Sequence, residues 1–164
     1  MPAVNSVFTA APLLSLLIGC GGGDTGLVVV VRSDLQVPEV LASVRVTVRQ
    51  DGAPAITDFL LDREPKLSVP FSFVVDSPSP STTPVVVLLQ ARSPDRTVLF
   101  AREVQTRLRP GSLLLLPVAL DQACWAQRCT ATVTCTDRGC GQPTIDSSTL
   151  DVLESRGAEL PDPG

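Results

Sequence analysis

Val44-Arg45-Val46-Thr47-Val48-Arg49 alternates strictly between apolar and polar side chains. Successive strand residues point to opposite faces, so three valines line one face and Arg, Thr and Arg the other, as in a half-buried strand. Asp51-Gly52 follows with tight-turn chemistry. Upstream, residues 27–32 form an almost unbroken valine run, suited to a strand buried on both faces. Downstream, Leu67, Val69, Phe71, Phe73 and Val75 share one face of the next run, and Pro70 marks it as an edge or bulged strand. Residues 76–84 are rich in Ser and Pro and read as a loop. Residues 84–92, 97–106 and 112–120 follow as three further strands. Ser93-Pro94-Asp95-Arg96 and Arg109-Pro110-Gly111 join them as tight turns, which predicts a meander.

Residues 58–61 suit one more short strand, and residues 38–41 a single helical turn. No stretch shows a helical period. About seven strands at this spacing, each sheet needing a cover for its apolar face, predict an all-β antiparallel β-sandwich over residues 27–120, immunoglobulin-like or transthyretin-like. The expected core is Val28, Val30, Val44, Val46, Val48, Val69, Phe71, Phe73, Val87, Leu89, Phe100, Leu114, Leu116 and Val118.

Residues 8–18 carry no charge and are rich in Leu and Ala. The run has the length of a signal-peptide core and is well short of the roughly 18 residues of a membrane-spanning helix. It ends in Leu17-Ile18-Gly19-Cys20, which resembles the lipobox of bacterial lipoproteins. The resemblance implies a signal peptide over 1–19, with Leu17, Ile18 and Gly19 as the signal-peptidase recognition residues. It also implies a diacylglycerol-bearing thiol at Cys20. The chain departs from the pattern in having no Lys or Arg before the apolar run, and Pro12 interrupts that run. Residues 20–26 supply a Gly-rich flexible tether. Two or more acyl chains hold a protein stably where one does not, so the expected partner is a membrane. Gly21 rather than Asp beside the lipidated Cys implies an outer-membrane destination.

Four cysteines follow the last strand at spacing C-x4-C-x5-C-x4-C: Cys124, Cys129, Cys135 and Cys140. The stretch 121–141 has too few apolar residues to hold itself by burial, and an exported chain meets an oxidising compartment, so two disulfides are expected. Three pairings are open to four cysteines. The interleaved one, Cys124–Cys135 with Cys129–Cys140, keeps both loops of workable size and is the expectation, although spacing does not decide it. Zinc is the rival reading, disfavoured by gaps wider than the usual C-x2-C; the expected metal is none. Trp125, the lone Trp, is expected to pack on the disulfides or on the sandwich end.

Lipobox, strand-rich body opening at Leu27, cysteine cluster and a tail containing Ile145-Asp146-Ser147-Ser148-Thr149-Leu150 together resemble lipoproteins abundant in myxobacteria and related GC-rich bacteria. Their common form joins a β-sandwich-like region to a small EGF-like or EB-like cysteine cluster. That family has no established activity, so the likeness implies an architecture and an address rather than a reaction. Residues 142–164 are expected to be a flexible acidic tail, carrying Asp146, Asp151, Glu154, Glu159 and Asp162 against Arg156 alone.

The chain has no His, which removes Ser-His-Asp and Cys-His catalysis and imidazole metal sites. Lys66 and Ser68 share a face at i and i+2 of an expected edge strand bounded by Pro65 and Pro70, a poor place for a Ser–Lys dyad. Carboxylates at Asp58, Asp62 and Glu64, or Asp34 and Glu39, have no spacing that selects a pair. Arg45, Arg49, Arg92 and Arg102 are expected on an exposed face, more as a solvated surface than an anion stripe. No basic patch with interleaved aromatics suggests nucleic acid. The expectation is a non-enzymatic envelope lipoprotein with a structural or protein-interaction role and no cofactor beyond the lipid on Cys20. Its alternatives are a small-ligand or glycan-binding module and, last, a carboxylate-based hydrolase.

Overall fold

A computed structural model describes residues 25–62, 67–76, 83–127, 129, 133–136 and 138–154. Seven strands fill the first part: β1 (Gly26–Arg32), β2 (Ser43–Arg49), β3 (Ala55–Leu60), β4 (Phe71–Asp76), β5 (Val85–Arg92), β6 (Val98–Thr106) and β7 (Leu113–Ala119). A short helix, α1 (Gln122–Ala126), then leads to the small strands β8 (Thr134–Thr136), β9 (Gly139–Gly141) and β10 (Asp151–Leu153). Two four-stranded sheets face each other, sheet A in the order β10-β7-β1-β4 and sheet B in the order β3-β2-β5-β6, while β8 and β9 pair separately.

The β-sandwich is as the alternation predicts, with two corrections of topology and face. The first concerns β7. The β5–β6 hairpin forms as expected, but β7 crosses to the other sheet and pairs with β1 in parallel, so the expected meander ends at β6 and the sandwich is not antiparallel throughout. The residues explain this choice. Residues 113–116 are four leucines, and residues 28–31 are four valines. Strands apolar on both faces are stable side by side in a central position, whereas the alternating strand β2 keeps Arg45, Thr47 and Arg49 towards water.

The second correction concerns which valines of β1 enter the main core. Leu27, Val29 and Val31 do so, with Leu114, Leu116 and Val118 of β7 beside them, and Val28 and Val30 lie on the opposite, outward face. In an unbroken apolar run no period marks the inner side, so the register of the neighbours decides it. Val44, Val46, Val87, Leu89 and Phe71 are buried in the main core as expected, and Val48, Val69, Phe73 and Phe100 pack against it half-buried. Leu35, Leu41, Leu61, Leu108 and Leu120 close the two ends.

Pro70 immediately precedes β4, which is an edge strand, as its proline suggests. The turns also match their residues. Gly52 and Gly111 adopt φ of 133° and 67°, values that glycine reaches without steric cost. The amide of Ser112 donates to the carbonyl of Arg109 at 3.1 Å, and residues 36–41 make a hydrogen-bonded turn, Val40 N–H donating to Gln36 O at 2.9 Å, where a helical turn was expected over 38–41.

Candidate functional site

Cys124–Cys135 and Cys129–Cys140 are both disulfides, each bridging Cα atoms 5.5 Å apart and eleven residues apart in sequence. This is the interleaved pairing. With every module sulfur bonded to another, no thiolate is left there for zinc. Cys124 and Cys135 are buried, whereas Cys140 is exposed on β9, directly across from Cys135 on β8. The module is held against the body rather than dangling from it. Gln122 N–H donates to Asp34 Oδ1 at 2.7 Å at the start of α1, and Glu103 N–H of β6 donates to Thr134 Oγ1 at 2.7 Å.

Residues 142–154 are not the loose tail that their charge suggests. Gln105 N–H donates to Pro143 O and Ile145 N–H to Gln105 O, both at 2.8 Å, and Thr106 Oγ1 donates to Ile145 O at 2.9 Å. Asp146 then caps a 3-10 turn by accepting from Ser148 N–H, and β10 pairs antiparallel with β7. The segment thus runs from the edge of sheet B to the edge of sheet A and closes that side of the sandwich. The sandwich accordingly extends beyond residue 120.

On the opposite side the described strands meet through side chains. Phe59 of β3 meets Phe71 and Phe73 of β4 with ring centroids 4.9 and 5.3 Å apart. Neither β3 nor β4 has a second strand partner among the described residues. Four of the six β3 residues are exposed, and Ile56 is 59% exposed. The sequence reading began this strand at Asp58 and so missed Ala55-Ile56-Thr57. A β-branched pair at Ile56-Thr57 was the available signal.

Between the outward face of sheet B and the cysteine module lies a cleft of about 770 Å³, lined by Leu88, Leu99, Ala101, Trp125, Cys135 and Pro143 among others. Trp125 lies beside the disulfides as expected, yet it stays 43% exposed at the cleft.

Of the carboxylates and arginines singled out in the sequence, Arg45, Asp58 and Arg49 form ion pairs, and Asp34 and Arg102 bond to backbone. Arg45 grips Asp58 with two hydrogen bonds of 2.8 Å, from Nε and Nη2, which raises the guanidinium pKa and holds the Asp58 carboxyl below its usual range. Arg49 pairs with Glu103 at 2.9 Å. Arg102 corrects the expectation of an exposed stripe. It is only 7% exposed and donates from Nη1 to Ala119 O of the facing sheet at 2.8 Å. Asp95 sits in the 93–97 turn, its carboxyl held low by hydrogen bonds from the Ser93 hydroxyl and then from Thr97.

Leu17, Ile18, Gly19 and Cys20 lie outside the described residues, as do Glu64 and Lys66. Among the described residues no helix is long and apolar enough to cross a membrane, and no group of three or more His, Cys, Asp or Glu could hold a metal ion. Comparison with known proteins finds no matching family model, no matching curated protein and no matching solved structure.

Proposed function

We propose that this chain is a lipoprotein of the bacterial outer envelope, held by acyl chains on Cys20, with an interaction role rather than a catalytic one. The anchor reading is carried by Leu17-Ile18-Gly19-Cys20 behind the apolar run 8–18. The interaction reading rests on one observation, the unequal treatment of the two sides of the sandwich. One side is covered by β8 and the 143–153 strap, while β3 keeps an edge six residues long that no other strand pairs with among the described residues. Soluble sandwiches guard such edges with Lys, Pro or bulges, because unpaired N–H and C=O groups template the pairing of another chain. β3 contains neither Lys nor Pro, and its one charge, Asp58, is taken up by Arg45. An extended segment of an envelope partner would add as a strand there, main-chain hydrogen bonds giving affinity and alternate side chains giving selectivity.

A photo-crosslinker placed at Thr57 in growing cells tests this. A discrete adduct from Thr57, absent when the probe sits at Gln105 on the sealed edge, is the expected result. No adduct, or the same adduct from both sites, would rule out β3 as the contact.

A second reading, a small-ligand or glycan-binding module, draws on the cleft beside Trp125. Its mark would be saturable thermal stabilisation by a soluble sugar or peptide, lost in Trp125→Ala.

A further inference from the structure

The two disulfides of the cysteine module are unequal. Cys124 and Cys135 are buried, whereas Cys140 is exposed and Cys129 half-buried. The buried bond joins two elements that the body also holds by hydrogen bonds, α1 at Gln122 and β8 at Thr134. The outer bond ties Cys129 to β9, which pairs with β8 and with no other strand among the described residues. A disulfide is broken by a thiolate that reaches one of its sulfurs, so access favours the bond at Cys140.

A second sulfur lies within bonding reach of Cys135. Cys135 and Cys140 are directly opposed in the antiparallel β8–β9 ladder. Residues so opposed have Cα atoms about 4.5 or 5.5 Å apart and point their side chains to one face. A disulfide needs roughly 4.4–6.8 Å between Cα atoms. The existing Cys124–Cys135 bond spans 5.5 Å. Gln127 Oε1 marks the shared face, lying 3.7 Å from Cys135 Sγ and 4.0 Å from Cys140 Sγ. The two disulfides therefore lie side by side, with Cys135 placed to bond either Cys124 or Cys140.

We propose that Cys140 is a thiol–disulfide exchange site for a dithiol reductant, and that it relays the exchange to Cys124–Cys135. One thiolate of the dithiol attacks Cys140 Sγ. The bond to Cys129 breaks, and Cys129 leaves as a thiolate that takes a proton from water. The second thiolate of the dithiol attacks the dithiol sulfur of the mixed disulfide, which closes the oxidised dithiol and releases Cys140 as a thiolate. Two electrons have then passed from the dithiol to the Cys129–Cys140 pair. The Cys140 thiolate next attacks Cys135 Sγ across the ladder, forming Cys135–Cys140 and expelling Cys124 as a thiolate. This second exchange consumes no oxidant or reductant. It leaves α1 no longer bonded to β8. Both elements flank the cleft beside Trp125, whose lining includes Cys124, Cys129 and Cys135, so the exchange alters that wall.

The test treats the full chain, purified with both disulfides formed, with limiting dithiothreitol, then alkylates it in acid and maps the label by tandem mass spectrometry. The two-thiol product is expected to carry label on Cys124 and Cys129, with Cys135 and Cys140 joined. Label on Cys129 and Cys140, with Cys124–Cys135 intact, would overturn the relay. Label on Cys124 and Cys135, or passage straight to four thiols, would overturn the exchange site itself. A second measurement needs no reductant. Cys129→Ser leaves Cys140 as a thiol, and this variant is expected to hold Cys124–Cys135 and Cys135–Cys140 forms together, whereas Cys140→Ser keeps Cys124–Cys135 alone. Cys124–Cys135 alone in both variants would overturn the relay.

Discussion

Phe59 of β3 and Phe71 of β4 face each other across the sandwich, ring centroids 4.9 Å apart and planes tilted by 34°. The contact joins the two strands whose outer edges pair with no other strand among the described residues, so this side depends on side-chain packing where the other side has backbone pairing. Phe59→Ala is expected to cost about 2–3 kcal/mol, less than a fully buried Phe because Phe59 is half-buried. Phe59→Leu is expected to recover most of that. Urea unfolding of the two variants checks the order, and equal loss in both would mean that the ring contact itself, and not the apolar volume, carries the stability.

Arg102 ties sheet B to sheet A through the carbonyl of Ala119. Removing a charged donor from a buried carbonyl costs roughly 1.5–3 kcal/mol, so Arg102→Ala is expected to lose stability in that range. Arg102→Lys is expected to recover little, because an ammonium on a flexible stem cannot reproduce the planar fork. Full rescue by Lys would show that charge alone matters at this position.

The strap 143–153 is expected to protect the edge of β6 from solvent. Ile145 packs half-buried against the main core, and its amide donates to Gln105. Ile145→Ala should lower stability by about 1–2 kcal/mol. Amide exchange at Gln105 and Ile145 should quicken in this variant more than at Val87 in the centre of sheet B. Uniform acceleration across all amides would mean that the strap opens only with the whole molecule.

What the sequence made legible and what it hid follow from the same physics. Val44–Arg49 alternates, so both its strand character and its inner face could be read directly, and Val44 and Val46 are buried as read. In β1 every side chain is apolar over five residues, so strand character was legible but the inward face was not, and Val28 and Val30 were assigned to the wrong side, whereas Leu114, Leu116 and Val118 of β7 face the main core as read. The parallel β1–β7 pair is a relation between residues nearly ninety positions apart, for which local turn chemistry at Arg109-Pro110-Gly111 carries no signal. The strap escaped notice because Asp146 and Asp151 made it look solvated. What holds it is backbone hydrogen bonding to Gln105 and Leu113–Leu115 together with Ile145, and composition does not register such bonds. Of the proposed sites, the disulfide pairs followed the sequence expectation. The β3 edge did not, since an edge is defined by the strand that is missing beside it.

Acid should weaken the fold. Asp58, Asp95 and Asp146 have carboxyl pKa values lowered in the folded state, by the Arg45 hydrogen bonds, by the Ser93 hydroxyl and by the Ser148 amide respectively. A group whose folded pKa lies below its unfolded value stabilises the fold above the unfolded pKa, about 3.9 for Asp, and that contribution is lost as pH falls through the folded pKa. Unfolding midpoints should therefore be level above about pH 5 and decline below about pH 4. Asp58→Asn should flatten part of the decline and cost under about 1 kcal/mol at neutral pH, as befits a partly exposed pair. A variant as acid-sensitive as the parent would remove the Arg45–Asp58 pair from the explanation.

The intact mass of the protein drawn from its native membrane, taken before and after reduction, bears most directly on the Cys20 anchor. The predicted product begins at Cys20, carries diacylglycerol and a further acyl chain, and gains four hydrogens on reduction from its two disulfides. An uncut, unmodified chain of 164 residues with all five cysteines as free thiols would contradict it.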